Sequence, residues 1–151
     1  MSKRIALAAD HAGFDEKEKI KATLTEMGVD FVDLGTTSTD SVDYPDFALK
    51  VGRAVAEGEV DQGLLVCGSG TGMAIAANKV HGVRAAVAWS PEIARLAREH
   101  NDANVLSLPA RFLNDEQAKD IVKAWFDADF EGGRHERRVE KITDLEKNDA
   151  A

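Results

Sequence analysis

The sequence predicts an α/β protein, a three-layer α/β/α sandwich around a five-stranded parallel sheet. Short runs rich in Val, Ile, Leu and Ala alternate along the chain with longer amphipathic segments, the pattern of successive βαβ units. Glycine or a capping residue punctuates most of these segments. The 151 residues suffice for one compact domain over 1–151 with one continuous core, needing neither disulfide nor structural metal.

The first strand is read over Arg4 to Ala9. A helical pattern follows from Phe14 to Met27, with Ile20, Leu24 and Met27 on one face and Gly28 as its stop signal. Val29 to Leu34 reads as a second strand. A polar loop then leads through Tyr44-Pro45 to a helix over 46–57, closed by Gly58. Gly63 to Cys67 reads as a buried central strand, Gly72 to Val80 as a helix, and Val83 to Trp89 as a strand. Ser90-Pro91 is an N-cap followed by proline at the first helical position, and that helix runs to His100. Asn104 to Leu108 supplies the fifth strand, 114–128 a helix, and a final helix begins after Gly132-Gly133. The acidic tail after Glu146 is expected to fray. No repeat or long linker interrupts this Rossmann-like order. In such sheets ligands bind beyond the carboxyl ends of the strands, which directs attention to Asp10-His11 and to Cys67 onward.

A net charge of −8 gives a surface that repels a phosphate backbone, and no Lys/Arg stripe offsets it, so nucleic acid is not expected as a partner. Cys67 is the only cysteine, which excludes an internal disulfide and multi-cysteine zinc sites. The apolar run after Lys3-Arg4 stops at Asp10, too short for the core of an export signal, and no run approaches a membrane span. The expectation is a cytoplasmic protein in a reducing compartment.

Cys67-Gly68-Ser69-Gly70-Thr71-Gly72 joins a buried strand to a helix N-terminus, where glycines let successive N–H groups converge as an anion cradle. The helix dipole there is expected to lower the thiol pKa. Three other loop chemistries each lack a residue. A nucleotide P-loop needs a lysine after its first glycine, and none occurs between Gly68 and Lys79. A dinucleotide loop wants an acid after the next strand, where Trp89 is followed by Ser90. A cysteine phosphatase wants an arginine where Met73 stands. What remains is a thiol beside an oxyanion-stabilising loop that includes the Ser69 hydroxyl. This suits proton transfer between adjacent carbons through an enediolate, with no metal and no nicotinamide.

Six motifs in order resemble the ribose-5-phosphate isomerase type B family and its sugar-phosphate isomerase relatives. They are Asp10-His11-Ala-Gly, Asp43-Tyr44-Pro45, the Cys67–Gly72 run, Ala76-Ala-Asn-Lys79, His100-Asn101-Asp-Ala-Asn104 and Gly133-Arg-His-Glu-Arg-Arg138. The cysteine before the glycines, with Met73 in place of a glutamate, resembles the branch that uses cysteine as base. The resemblance implies a cofactor-free aldose–ketose isomerase of the non-oxidative pentose phosphate pathway. Cys67 would move the proton between C2 and C1, Gly68, Gly70, Thr71 and Gly72 would hold the enediolate oxygens, and Ser69 would relay the hydroxyl proton. His100, aided by Asp10, would open the sugar ring. Tyr44 and Asn101 would hold hydroxyls, while His11, Arg111, Arg134, His135 and Arg138 would bind the phosphate. It also implies a homodimer, or a dimer of dimers, with each site completed by His100, Asn101 and Arg111 of the neighbour. Position argues the same way for His100, because the end of a helix feeding a parallel strand lies away from Cys67.

Each residue also has a structural reading. Cys67 can be a buried cysteine at a turn, His100 a cation at a helix C-terminus, the 134–138 basic run a solvated face, Asp10 a helix cap and Tyr44 a stiffener of its loop. A non-catalytic sugar-phosphate sensor stands as the alternative class, and a tetrose, allose or galactose phosphate as the alternative substrate.

Overall fold

A computed structural model describes residues 3–149. In chain order the elements are β1 (Arg4–Ala9), α1 (Phe14–Glu26), β2 (Asp30–Asp33), α2 (Tyr44–Ala56), β3 (Gln62–Cys67) and α3 (Thr71–Asn78). They continue with β4 (Ala85–Val87), α4 (Pro91–Asn101), β5 (Val105–Pro109), a short 3-10 turn (Ala110–Phe112), α5 (Asp115–Asp127) and α6 (Arg134–Asp149). The sheet order is β2-β1-β3-β5-β4, and every neighbouring pair is parallel.

Strand residues alternate between two cores, as a pleated sheet buried on both faces requires. Ile5, Leu7, Leu64, Val66, Leu106 and Leu108 pack with Ile20 of α1, Ala94 of α4 and Ile121 and Trp125 of α5. Ala6, Ala8, Leu65, Cys67 and Val105 pack on the opposite face with Val51 of α2 and Met73 and Ala77 of α3. The three-layer architecture expected from the sequence is therefore the observed one.

Three differences from the sequence reading have local causes. Helix α2 begins at Tyr44 rather than at 46, because Pro45 fits the first turn, where its missing N–H costs nothing. The strand expected over 83–89 is shorter, Ala85–Val87, since the Val83 N–H closes a turn on the Val80 carbonyl (3.1 Å), the Arg84 N–H goes to Asn104 Oδ1 (2.7 Å) and Ser90 already caps the next helix. The tail expected to fray after Glu146 remains helical to Asp149. Glu146 accepts the Gly82 N–H and Asp149 lies 3.8 Å from His81, so two contacts hold this last turn. Positions 150 and 151 lie outside the described residues.

The order in which strands are added reverses between β1 and β3, which makes their carboxyl ends the switch-point crevice of the sheet. Asp10 leaves β1 there and Cys67 ends β3. Backbone bonds bind the two together, Asp10 N–H donating to the Val66 carbonyl at 3.2 Å. Gly13 is required at this crossing, because any β-carbon on it would overlap the Val66 carbonyl.

Candidate active site

Cys67 sits at the end of β3 with 4 % of its surface exposed. Its Sγ accepts the Gly70 N–H at 3.2 Å. The loop is a tight one. Gly70 has φ +78°, and a β-carbon there would press on Val87 and on the backbone of Leu108 and Pro109, so glycine is needed for both conformation and space. Ser107, fully buried in β5, donates its hydroxyl to the Gly70 carbonyl at 2.7 Å. That bond anchors the Gly70–Thr71 peptide, the neighbour of the peptide whose N–H meets the sulfur. Ser69 is exposed, and its Oγ accepts the Thr71 N–H at 3.3 Å.

The thiol pKa departs from expectation. Burial pushes it up, the nearby Asp10 carboxylate adds to the rise, and the N–H groups of Met73, Gly70 and Ser69 recover only part of it. A helix N-terminus alone suggested a lowered value; desolvation of the thiolate outweighs it.

Around the loop stand four more of the expected residues. Asp10 is buried, and its Oδ1 accepts the Gly13 N–H at 2.9 Å. His11 Nδ1 accepts the Val42 N–H at 3.1 Å, which leaves Nε2 as the free edge of the ring. The Tyr44 ring lies over Gly72, where a β-carbon would stand 2.6 Å from the ring edge. Arg111 packs its guanidinium against Gly68, and its own N–H donates to the Gly68 carbonyl at 3.1 Å. The expectation that Arg111 comes from a neighbour is corrected here: the 3-10 turn after β5 brings it to the loop of its own chain.

His100, Asn101, Arg134, His135 and Arg138 lie elsewhere. Helix α4 ends where β5 begins, and the Asn104 carbonyl accepts the Gly63 N–H at the start of β3. Cys67 is four residues further along that strand, roughly 13 Å at the rise of a β-strand. His100 stacks on His135 of α6 with ring centres 4.2 Å apart. Glu131 Oε1 lies 3.3 Å from His100 Nε2 and 3.6 Å from His135 Nε2. Burial holds the His135 imidazole below its ordinary pKa, with His100 and Arg134 pushing the same way against the pull of Glu131. Asn101 faces a groove of about 460 Å³ beneath Ile142 and Leu145 of α6.

One chain thus separates the expected site into two groups. Asp10 and His11 stand with Cys67, apart from His100, Arg134, His135 and Arg138 of the same chain. Sequence reasoning missed Ser107 and Glu131, which belong to no motif it used. A serine inside an apolar strand, Val105-Leu-Ser-Leu108, was the signal available for the first. Nothing in the sequence signalled Glu131, since only the fold brings it to His100.

A thiol and an N–H-lined loop thus lie together at the switch point of a parallel sheet, where α/β proteins of this class bind small ligands. The chain belongs to the ribose/galactose isomerase family, whose model matches residues 5–142. It is 52% identical over 145 residues to ribose-5-phosphate isomerase B of Escherichia coli, covering 96% of this chain and 97% of that protein. A solved ribose-5-phosphate isomerase B from Clostridium thermocellum superposes with a TM-score of 0.95 at 48% identity, over 97% of this chain and 99% of that one. The enzyme from Mycoplasma genitalium, solved with bound ribulose-5-phosphate, gives a TM-score of 0.92 at 45% identity, over 95% of this chain and 96% of that one. The family resemblance drawn from the six motifs holds, and the chain is an isomerase of that family.

Proposed function

We propose that this chain interconverts ribose 5-phosphate and ribulose 5-phosphate, with Cys67 as the base that carries the proton between C2 and C1. The observation that carries the reading is the Cys67 sulfur on the Gly70 N–H, buried at the switch point and surrounded by loop donors. A thiolate formed there is desolvated and therefore strongly basic, which suits abstraction of a carbon-bound proton. Backbone N–H groups from Gly68 to Gly72 stabilise the enediolate oxygens without reorganising. Ser69, exposed on the same loop, passes the hydroxyl proton between O1 and O2. Tyr44 lies over Gly72, His11 follows Asp10 beside the loop, and Arg111 brings a guanidinium to Gly68 for the phosphate.

Ring opening needs a further acid–base group, and His100 lies at the far end of the sheet in its own chain. The working enzyme is a homodimer in which His100, Asn101, Arg134, His135 and Arg138 of the partner subunit face the Cys67 loop. Trp89 and Phe112 support such a face: their rings touch at 5.4 Å yet remain 53% and 61% exposed, and Phe112 directly follows Arg111. Exposed aromatic pairs beside a site suit an interface. A cytoplasmic setting keeps the Cys67 thiol reduced, and the reaction belongs to the non-oxidative pentose phosphate pathway.

The test is conversion of ribose 5-phosphate in EDTA by wild type and by Cys67→Ala. Turnover by wild type with a loss of ~10²–10⁴-fold in the variant supports both substrate and base. Inert wild type would redirect the substrate to another sugar phosphate; an active variant would remove Cys67 from the mechanism.

A further inference from the structure

Helix α4 ends on Asp102, the one non-glycine among the described residues with a positive φ, +46°. Its N–H and that of Ala103 both donate to the Ala97 carbonyl, a closure in which glycine is the usual residue because it has no β-carbon to strain. The carboxylate gives the reason for an aspartate here. Its Oδ2 accepts from Arg84 Nη2 at 3.2 Å and its Oδ1 from Arg98 Nη1 at 3.3 Å, while the Asp102 carbonyl accepts from Arg84 Nε at 2.9 Å. Arg98 is buried, lies over the Trp125 ring, and its Nε has no partner among the described residues. Its guanidinium therefore depends on Asp102 and the Ala103 carbonyl.

Arg98 and Asp102 stand one helical turn apart, with His100 and Asn101 between them. The last turn of a helix lacks onward backbone bonds and frays first, so side chains carried on it are poorly fixed unless something closes the turn. Arg84, just before β4, ties that closure to the sheet, since its N–H donates to Asn104 Oδ1 at the start of β5. We propose that Asp102 is a positioning residue for ring opening: clamped by Arg84 and Arg98, it fixes the last turn of α4 and so holds His100 in place for the sugar. The inference rests on the role proposed for His100. Acid–base catalysis needs hydrogen-bond reach, and a displacement of about 1 Å costs up to ~10²-fold in rate. Asp102 touches no reacting atom, and its effect passes through His100.

The experiment is a double-mutant cycle on the full-length enzyme, reading kcat and KM for ribose 5-phosphate in wild type, Asp102→Gly, His100→Gln and the double variant. Glycine favours the left-handed backbone, so Asp102→Gly removes the carboxylate without straining the turn. Its kcat should fall ~10–10²-fold, with KM changed less than ~3-fold. In the His100→Gln background the same substitution should change kcat by less than ~3-fold, because the group it positions is gone. Asp102→Asn tolerates the left-handed backbone and keeps one acceptor oxygen. It should lose less than Asp102→Gly with the same dependence on His100, and it carries the cycle if the glycine variant does not fold. Equal losses in both backgrounds would make Asp102 a stabiliser of fold or assembly and overturn the proposal. Full activity of Asp102→Gly beside a crippled His100→Gln would remove this inference alone, whereas a fully active His100→Gln would remove the role of His100 and this inference with it.

Discussion

At the carboxyl ends of the strands the site is made mainly of backbone. Gly70 aims an N–H at Cys67, Ser107 holds the Gly70 carbonyl, and Gly13 lets the turn after β1 pass close to the Val66 carbonyl at the end of β3. At the opposite end the candidate residues are long side chains, His100, Glu131 and His135, gathered by the contact of α4 with α6. The difference bears on chemistry. A backbone cradle is preorganised by the fold and suits an oxyanion, while side chains that stack and exchange protons suit acid–base work on a ring oxygen. It also bears on the proposed assembly, because groups at opposite ends of one sheet meet only across a boundary between chains.

The comparison can be broken at either end. Replacing His100 with Gln should lower turnover of the ring-closed substrate by ~10²-fold or more and leave the melting temperature near that of wild type. A variant with wild-type turnover would confine the chemistry to the Cys67 end. Ser107→Ala should act more gently, with a loss of about 1 kcal/mol in stability by urea titration and a fall in kcat of less than ~10-fold through the loosened Gly70 peptide. Unchanged kcat alongside the stability loss would make Ser107 purely structural.

The pH dependence of kcat/KM sharpens the contrast. Burial raises the Cys67 pKa, so the thiolate fraction, and the rate with it, should keep rising with pH beyond the ordinary thiol range. A plateau below that range would mean that substrate-free enzyme already holds the thiolate. The smallest effect concerns neither end. Glu16, where burial and the Asp115 carboxylate raise the pKa to about 7, holds a proton in the folded state that the unfolded chain releases nearer 4.5. Its contribution is therefore complete at acid pH and declines as pH rises between those values. Melting temperature should fall between pH 5 and pH 8 more steeply in wild type than in Glu16→Gln, and parallel curves would contradict the assignment.

The sheet and the Cys67 loop were legible in the sequence because both are local. Alternating apolar runs announce strands, and Cys67 to Gly72 is a continuous segment whose glycines state their own conformation. The direction of the Cys67 pKa was misread, since a helix N-terminus is visible in sequence while burial at 4 % exposure is a product of packing. Asn78 and Asn104 lie within motifs, yet their amides knit α3 to β4 and hold the Arg84 and Gly82 backbone. Glu131 reaches His100 across thirty-one positions of chain, a contact that no periodicity or spacing could disclose.

The central claim is that one working site needs both ends from different chains, and subunit hybrids test it most directly. Cys67→Ala and His100→Gln chains carrying different tags would be co-expressed, and the mixed dimer purified through both tags. If sites are shared, the hybrid has one site with both residues intact and should recover about half the wild-type activity per dimer, although each parent alone is nearly inactive. A mixed dimer as inactive as its parents would contradict the account.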